Sequence, residues 1–240
     1  MNAATDSNAI QIQNLQFQWH KNGPIILDLP DLTIKRKERV FIKGSSGSGK
    51  STLLSILGGI LLAQRGQVNI LGQNIETLSA AQRDHFRAQH IGFIFQQFNL
   101  IPYLSVIDNV LLPCRFSHKR ETNVLERGVS LQAEAERLLG HLDLSGALLH
   151  RSVTTLSVGQ QQRVAAARAL IGRPELVIAD EPTSSLDADR REAFLKLLLN
   201  ECAEQNTTLI FVSHDATLEA QFDRSIHLTD INRATIASAA

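Results

Sequence analysis

The sequence predicts an α/β fold with an antiparallel β lobe near its N-terminal end. Residues 10–42 form short runs in which apolar and polar side chains alternate, as in strands joined by turns. Breaks between these strands are expected at Gly23-Pro24 and at Pro30. Residues 176–179 and 209–212 are continuous apolar runs, which are typical of parallel strands buried on both faces. The two kinds of strand together indicate the α/β class.

Helical patterns fill much of the remaining sequence. Residues 51–62 have the length and composition of a helix, and residues 78–149 are mostly helical in pattern. A helical subdomain over roughly residues 97–172 is therefore predicted as an insertion in the core, and its charged stretch 117–130 is assigned no chemistry. The length of 240 residues, with 43% hydrophobic side chains, suits one domain over residues 1–240.

Charge and hydropathy exclude several classes of protein. Lys plus Arg and Asp plus Glu number 24 each, so the chain lacks the basic field that neutralises nucleic-acid phosphates, and no nucleic-acid partner is expected. Residues 1–9 are polar and do not resemble a secretion signal. The longest apolar run, residues 53–63, is about half of the roughly 20 residues that cross a bilayer. A cytoplasmic location is therefore expected.

A phosphate-binding loop follows the short apolar strand at residues 40–42. The loop fits the pattern G-x-x-x-x-G-K-[ST] and consists of Gly44, Ser45, Ser46, Gly47, Ser48, Gly49, Lys50 and Ser51. Its glycines let successive N–H groups point into one concavity, where the dipole of the next helix also attracts a polyphosphate. Lys50 is expected to reach the β- and γ-phosphates, Ser51 to bind Mg²⁺ and Thr52 to bond a phosphate oxygen. The alternative is an ordinary Gly/Ser turn with a surface lysine.

Two carboxylates, Asp180 and Glu181, directly follow the apolar run 176–179. Ligands of open α/β sheets bind at the carboxyl ends of the strands, and two adjacent acids there favour a cation. Asp180 is interpreted as the Mg²⁺ contact, and Glu181 as the general base for the water that attacks the γ-phosphate. A solvated acidic turn or a helix cap is the alternative.

The pentapeptide Leu156-Ser157-Val158-Gly159-Gln160 lies between these motifs and resembles the signature L-S-G-G-Q of ABC ATPases. Ser157 and Gly159 are expected at the N-terminus of a helix, where N–H groups and the dipole favour an anion. The resemblance implies that Ser157, Gly159 and Gln160 face ATP held by a second copy, in a head-to-tail homodimer with two ATP molecules. Val158 departs from the usual glycine. A serine cap without function is the alternative.

Two further segments of the sequence resemble ABC motifs. Gln96, in Phe93-Ile94-Phe95-Gln96-Gln97, resembles the Q-loop glutamine, which touches Mg²⁺ and the attacking water, with Gln97 as the alternative. Asp187, in Ser184-Ser185-Leu186-Asp187, resembles the D-loop residue that communicates with the opposite site.

A histidine and an aromatic residue complete the resemblance. His214, in Val212-Ser213-His214-Asp215, resembles the switch histidine that contacts the γ-phosphate, although a histidine after an apolar strand is often structural. Trp19 stands where the family stacks an aromatic ring on adenine, and Phe17 is the alternative. Either aromatic could instead belong to the core of the β lobe.

The resemblance covers residues 10–228 and implies a P-loop ABC ATPase with a RecA-like core that hydrolyses ATP with Mg²⁺. Within the family, residues 91–102 and Asp108-Asn109-Val110 are similar to the branch of macrolide-exporter, lipoprotein-release and cell-division ATPases. That branch implies that this chain lies peripherally at the cytoplasmic face of the bacterial inner membrane and binds an integral-membrane permease, with a periplasmic adaptor as a further candidate partner. The apolar side chains of Phe98, Leu100, Ile101 and Tyr103 would help form the dock for the permease or pack in the core. The alternative function is a soluble assembly or regulatory factor, such as those serving iron–sulfur assembly.

Overall fold

The computed structural model describes residues 7–45 and 47–234, which form strands β1–β9 and helices α1–α8. The strands are β1 (Asn8–Gln18), β2 (Ile25–Lys35), β3 (Arg39–Lys43), β4 (Arg65–Ile70), β5 (Gln73–Asn74), β6 (Ile91–Ile94), β7 (Leu176–Asp180), β8 (Thr208–Val212) and β9 (Arg224–His227). The helices are α1 (Lys50–Leu57), α2 (Ala80–His90), α3 (Val106–Phe116), α4 (His118–Leu125), α5 (Leu131–His141), α6 (Val158–Leu170), α7 (Ala188–Gln205) and α8 (Leu228–Ile231). The chain divides into a first unit, residues 1–87 and 210–240, and a second unit, residues 88–209.

The first unit contains the predicted antiparallel lobe, a sheet with the strand order β2-β1-β4-β5. Ile12 of β1 lies opposite Leu32 of β2 and Val68 of β4, and all three side chains are buried. The break expected at Pro30 is wrong, because β2 continues through this residue. Strand β2 is at the edge of the sheet, where a residue without an N–H group interrupts no ladder on its open side.

Helix α1 ends at Leu57, five residues before the end predicted from its composition. The N–H of Gly58 donates to the carbonyl of Leu54, and the N–H of Gly59 donates to that of Ile56. Gly59 has a φ of +65°, in the left-handed region. A glycine in that conformation ends a helix while satisfying its last carbonyls. The helix therefore ends at the glycine pair, although the apolar run continues beyond it.

The second unit contains β6, which pairs in parallel with β7, and the helices α3 to α6. The prediction of a mostly helical pattern over residues 78–149 therefore missed the strand at 91–94. Its four residues are too few to show the alternation of a strand. The stretch 117–130 contains helix α4. The exact limits of the helical subdomain, predicted as 97–172, remain a prediction.

Serine side chains mark where these helices begin. Each of α3, α4, α5 and α6 has a serine at its N-cap, and each hydroxyl accepts a hydrogen bond from a backbone N–H of the first turn. The four capping residues are Ser105, Ser117, Ser130 and Ser157. Such caps satisfy donors that the helix itself leaves unpaired, and each stabilises its helix by about 1 kcal/mol.

Within residues 7–45 and 47–234, no helix has both the length and the apolar character that crossing a bilayer requires.

Candidate functional site

The phosphate loop of the first unit has the backbone geometry that its glycines allow. Gly47 and Gly49 have φ values of +77° and +94°, which L-residues with side chains rarely adopt. A Cβ atom on Gly49 would lie 2.8 Å from the Cδ2 atom of Leu27 and 3.3 Å from the carbonyl oxygen of Ile26. Gly49 is also the N-cap of α1, so the loop delivers the chain directly to a helix N-terminus. This is the arrangement that binds phosphate groups.

Lys50 and Ser48 supply polar atoms inside the loop. The Nζ atom of Lys50 donates to the carbonyls of Gly44 (2.8 Å) and Ser45 (2.9 Å), and the residue is only 9% exposed. An ammonium group has three donors, so one remains for a phosphate oxygen. The hydroxyl of Ser48 is buried and has no hydrogen-bond partner within the described residues. A buried hydroxyl without a partner fits an anion's oxygen better than it fits a purely structural loop.

The other predicted residues of the loop differ in exposure. Ser51 is exposed in the first turn of α1, whereas Thr52 is buried. Ser51 also accepts a hydrogen bond at its carbonyl from the hydroxyl of Ser55. Ser46, predicted as part of the loop, lies outside the residues that the structure describes.

Asn232, which the sequence did not single out, supports the loop from the chain after α8. Its Nδ2 atom donates to the carbonyls of Ile26 (2.9 Å) and Ser48 (3.4 Å), and its Oδ1 atom accepts from the N–H of Asp28 (2.8 Å). These bonds join the loop backbone to β2. No local pattern marks Asn232, because its partners are about 200 residues away in sequence.

His214, predicted as the switch histidine, lies at a strand end that neighbours the phosphate loop within the first unit. The N–H of Ser213, directly after β8, donates to the carbonyl of Ile42 at 3.3 Å. Ile42 is in β3, which leads into the phosphate loop. The phosphate loop and the segment of His214 therefore follow the ends of two neighbouring strands, β3 and β8. The side chain of His214 is exposed, and a core position is therefore excluded for it.

The two aromatic candidates of the β lobe differ in burial. Phe17 is 5% exposed and belongs to the core, whereas Trp19 is 57% exposed just after β1. The two rings meet edge to face with centroids 5.2 Å apart. Phe17 thus supports the Trp19 ring, and only Trp19 offers a large open face for stacking.

The second unit brings Gln96, Asp180 and Glu181 to one edge by strand register. Strands β6 and β7 run in parallel, with Ile94 opposite Ala179. Gln96 follows the carboxyl end of β6, and the two carboxylates lie at and just after the carboxyl end of β7. Gln96 is exposed, and Asp180 and Glu181 are half-buried. Oxygen ligands at one sheet edge are the donor set that Mg²⁺ prefers.

Glu181 has a strained backbone, with a φ of +44°. A residue with a side chain in this region costs of order 1 kcal/mol or more, and such strain concentrates at functional sites. The carbonyl of Glu181 also accepts from the N–H of Ser184 at 3.2 Å, which closes the turn after β7. The turn therefore fixes the direction of the Cα–Cβ bond of Glu181 relative to β7.

The signature segment forms a reciprocal cap at the N-terminus of α6. The hydroxyl of Ser157 accepts from the N–H of Gln160, and the Oε1 atom of Gln160 accepts from the N–H of Ser157 at 2.9 Å. The side chain of Val158 is 50% exposed and does not interrupt this cap. A Cβ atom on Gly159 would lie 3.7 Å from Leu186, so the signature and D-loop segments are neighbours within this unit.

A cavity of about 230 Å³ opens beside the signature segment. Its lining includes two arginines, Arg163 and Arg190, as well as Ser157, Gly159 and Leu186. Asp187 starts α7 as its N-cap, where its carboxylate accepts from the N–H of Arg190 at 2.9 Å. The structure therefore gives Asp187 a capping role, and its predicted contact with a second copy remains a prediction.

The predicted site residues are divided between the two units. Trp19, the phosphate loop and His214 belong to the first unit. Gln96, the carboxylates Asp180 and Glu181, the signature segment and Asp187 belong to the second.

Comparison with known proteins gives consistent likenesses over most of the chain. Residues 27–184 match the family model described as ABC transporter. A lipoprotein-releasing system ATP-binding protein LolD of Shewanella denitrificans is 42% identical over 206 residues, which are 85% of this chain and 84% of the relative. The uncharacterized ABC transporter ATP-binding protein YbbA of Escherichia coli is 42% identical over 205 residues, 85% of this chain and 86% of the relative.

Solved structures show the same likeness. The ATP-binding cassette MJ0796, in a dimeric post-hydrolysis state bound to ADP and Pi, has a TM-score of 0.78 and 34% identity. The alignment covers 91% of this chain and 93% of that one. A second dimeric structure of MJ0796, described as a bacterial ABC transporter cassette, has a TM-score of 0.77 at the same identity.

Proposed function

This chain belongs to the ABC transporter family as an ATP-hydrolysing subunit, and we propose that a homodimer of it drives a separate membrane permease in envelope lipoprotein or lipid handling or in export. The family match and the likeness to ABC cassettes confirm the predicted α/β cassette fold and the predicted ATPase class. The observation that carries the transporter proposal is the 42% identity to a lipoprotein-releasing system ATP-binding protein over 84% of that relative. No observation favours the alternative of a soluble assembly factor.

The first unit binds the nucleotide. The N–H groups of the phosphate loop and the remaining donor of Lys50 hold the β- and γ-phosphates, and the buried hydroxyl of Ser48 adds a further donor. Thr52 bonds a phosphate oxygen. Trp19 stacks on the adenine ring through its exposed face, and His214 contacts the γ-phosphate.

The second unit supplies the residues for hydrolysis. Gln96 and Asp180 of this unit offer amide and carboxylate oxygens that fit Mg²⁺, which would neutralise charge on the phosphates. Ser51, in the first unit, carries the hydroxyl predicted as a further Mg²⁺ ligand. Glu181 accepts the proton of the water that attacks the γ-phosphate, and Gln96 orients that water. The turn at Glu181 fixes the backbone from which its side chain leaves, so the carboxylate has fewer positions to search when the water reacts.

The signature segment binds the ATP of a second copy. The hydroxyl of Ser157 uses a lone pair to accept from Gln160, so its proton is available to a γ-phosphate oxygen. The N–H of Gly159 and the Nε2 group of Gln160 add donors at the positive end of α6. Asp187 extends the contact between copies. Two ATP molecules are then held between two chains, each of which completes the site of the other.

The permease docks near the Q-loop, at the cytoplasmic face of the inner membrane, with a periplasmic adaptor as a further candidate partner. Of the four apolar side chains predicted for this dock, Phe98 is 7% exposed and belongs to the core. Tyr103 is 84% exposed and remains available for contact with a partner. Leu100 and Ile101 are half-buried.

The permease proposal is tested by isolating the Glu181→Gln chain from detergent-solubilised membranes in ATP and Mg²⁺, with wild type in ADP as control. We expect a stoichiometric integral-membrane protein with few spans and a large periplasmic domain in the ATP sample. Adding that purified protein in lipid vesicles should raise the ATPase rate of the wild-type chain. Recovery of the chain without a membrane protein, together with an ATPase rate that membranes leave unchanged, would favour the soluble-factor alternative.

A further inference from the structure

Arg168, in the last turn of α6, is hydrogen-bonded to the backbone of the Q-loop, by which we mean residues 95–99 directly after β6. Its Nη2 atom donates to the carbonyl of Phe98 at 2.5 Å, and its Nη1 atom donates to the carbonyl of Asn99 at 2.7 Å. The planar guanidinium thus bridges two successive carbonyls with two nitrogens held in a rigid fork, whereas a lysine would have to use one flexible nitrogen for both carbonyls. Helix α6 begins at the signature segment, so one rigid helix connects that segment to the loop that carries Gln96.

The Q-loop is folded so that both carbonyls converge on this arginine. Phe98 and Asn99 have φ values of +60° and +48°, two successive residues with side chains in the left-handed region. The N–H of Phe98 donates to the carbonyl of Phe95, and the N–H of Asn99 donates to that of Gln97. Such a conformation persists only where its surroundings hold it, and Arg168 is the group that bonds to its outward carbonyls.

The surroundings of Arg168 support a specific role. Burial lowers the pKa of its guanidinium to about 10. Among the residues that the structure describes, its recorded hydrogen-bond partners are the two loop carbonyls, and it forms no salt bridge there. Arg168 is half-buried. Partial burial of a charge carries a desolvation cost, which its hydrogen bonds to the two loop carbonyls offset.

A second arginine, Arg120 of α4, is bonded to the start of β6, the strand that precedes the Q-loop. It is 1% exposed and donates to the carbonyls of Ile91 (2.6 Å), Ile171 (3.2 Å) and Ala169 (3.3 Å). A Cβ atom on Gly92 would lie 2.2 Å from the carbonyl oxygen of Ala169, so the backbones of β6 and α6 nearly touch. We call Arg120 and Arg168 the arginine clamp.

We propose that Arg168 is a positioning residue that makes the Q-loop and the signature helix move as one element. It acts through the carbonyls of Phe98 and Asn99 and does not itself touch the substrate. Arg120 joins the start of β6 to the end of α6, and Arg168 joins the loop after β6 to the same helix. The arginine clamp therefore binds the chain at the start of the strand and after it. The proposal rests on the proposed role of Gln96 in orienting the attacking water.

The test is a double-mutant cycle on ATP hydrolysis with Arg168→Met and Gln96→Ala. Arg168→Met should lower kcat by about 10- to 100-fold, because catalysis is sensitive to small displacements of positioned groups. KM for ATP should change by less than about twofold, since the phosphate loop and Trp19 lie in the other unit. In the Gln96→Ala background, Arg168→Met should lower kcat little further.

Two variants control for folding. Arg115→Met removes a surface arginine that pairs with Asp108 and is 53% exposed, and it should leave kcat unchanged. Arg168→Lys keeps the charge and a donor but replaces the rigid two-nitrogen fork with one flexible nitrogen, so it should restore part of the lost kcat. If Arg168→Met does not fold, the same cycle is run with Arg168→Lys.

The outcomes separate the two proposals. If Gln96→Ala alone leaves kcat unchanged, the proposed role of Gln96 fails, and the positioning role fails with it. If Gln96→Ala lowers kcat but the two substitutions have additive effects, the positioning role of Arg168 alone is overturned. An unchanged kcat in Arg168→Met, or a loss that Arg168→Lys does not partly restore, also contradicts it.

Discussion

The phosphate loop and the Q-loop reach left-handed backbone conformations by different means. Both need backbone in the left-handed region, but the phosphate loop uses Gly47 and Gly49, whereas the Q-loop uses Phe98 and Asn99. In the phosphate loop the required geometry is encoded locally by residue type. In the Q-loop it is imposed by tertiary contacts, including the hydrogen bonds from Arg168. The backbone conformation of the phosphate loop can therefore be predicted from sequence, whereas that of the Q-loop cannot.

The largest effect is expected for Lys50→Ala. Removing the buried ammonium of the phosphate loop should lower ATP turnover by about 100- to 1000-fold, as for other donors aimed at developing charge. Lys43→Ala is the matched control, because Lys43 pairs with Glu219 at 3.2 Å near the surface, and it should change turnover by less than about twofold. Similar turnover in the two variants would contradict a phosphate-binding role for Lys50.

Gly49→Ala and Asn99→Gly test the comparison of the two loops directly. Gly49→Ala should lower the free energy of unfolding by about 2 kcal/mol, because of its φ of +94° and the contact of the added Cβ with Leu27. Asn99→Gly should stay within about 0.5 kcal/mol of wild type, because relief of strain offsets the added flexibility of the unfolded chain. Urea unfolding measures both, and equal losses would show that the Q-loop conformation is as residue-specific as the phosphate loop.

A smaller effect is expected at Glu175, which anchors α4 in the second unit. Burial alone would raise the pKa of Glu175, but hydrogen bonds from His90 and Lys119 outweigh it and lower the pKa to about 2. Because this pKa is depressed from 4.5, its stabilising contribution is present above about pH 4.5 and is lost as the pH falls towards 2.

Glu175→Gln should therefore lose less stability than wild type between pH 5 and pH 3, while being less stable at pH 7. Urea unfolding at these pH values compares the two chains. Parallel pH dependence in both would show that the carboxylate contributes no proton-linked stability.

The smallest effect is expected at Asp187, where capping and communication between copies can be separated. Asp187→Ala removes the cap of α7 and should lower the free energy of unfolding by about 1 kcal/mol. Asp187→Asn keeps an oxygen for the N–H of Arg190 and should stay within about 0.5 kcal/mol of wild type. Reduced ATP turnover in Asp187→Asn would support the D-loop role, whereas wild-type turnover would leave capping as its function.

Features encoded by local sequence could be predicted, whereas features that depend on tertiary contacts could not. The β lobe, the phosphate loop and the serine that starts α6 were predictable, because their signals are local: alternation, glycine spacing and capping. Strand β6 was missed because four residues carry no clear period, and Pro30 was misread because an edge position cannot be seen in sequence. The roles of Asn232, Arg120 and Arg168 depend on partners distant in sequence. Arg168 alone left a signal, as a single charge within the apolar run 164–170.

The pairing of two chains and the role of Glu181 are tested most directly by ATPase activity and light scattering of wild type and Glu181→Gln, in ATP with Mg²⁺. We expect Glu181→Gln to abolish turnover and to accumulate as an ATP-dependent dimer, because the amide cannot accept the water's proton but still permits closure. Turnover equal to wild type would show that Glu181 is not the base. An inactive chain that stays monomeric in ATP would contradict the proposed pairing of two chains around two nucleotides.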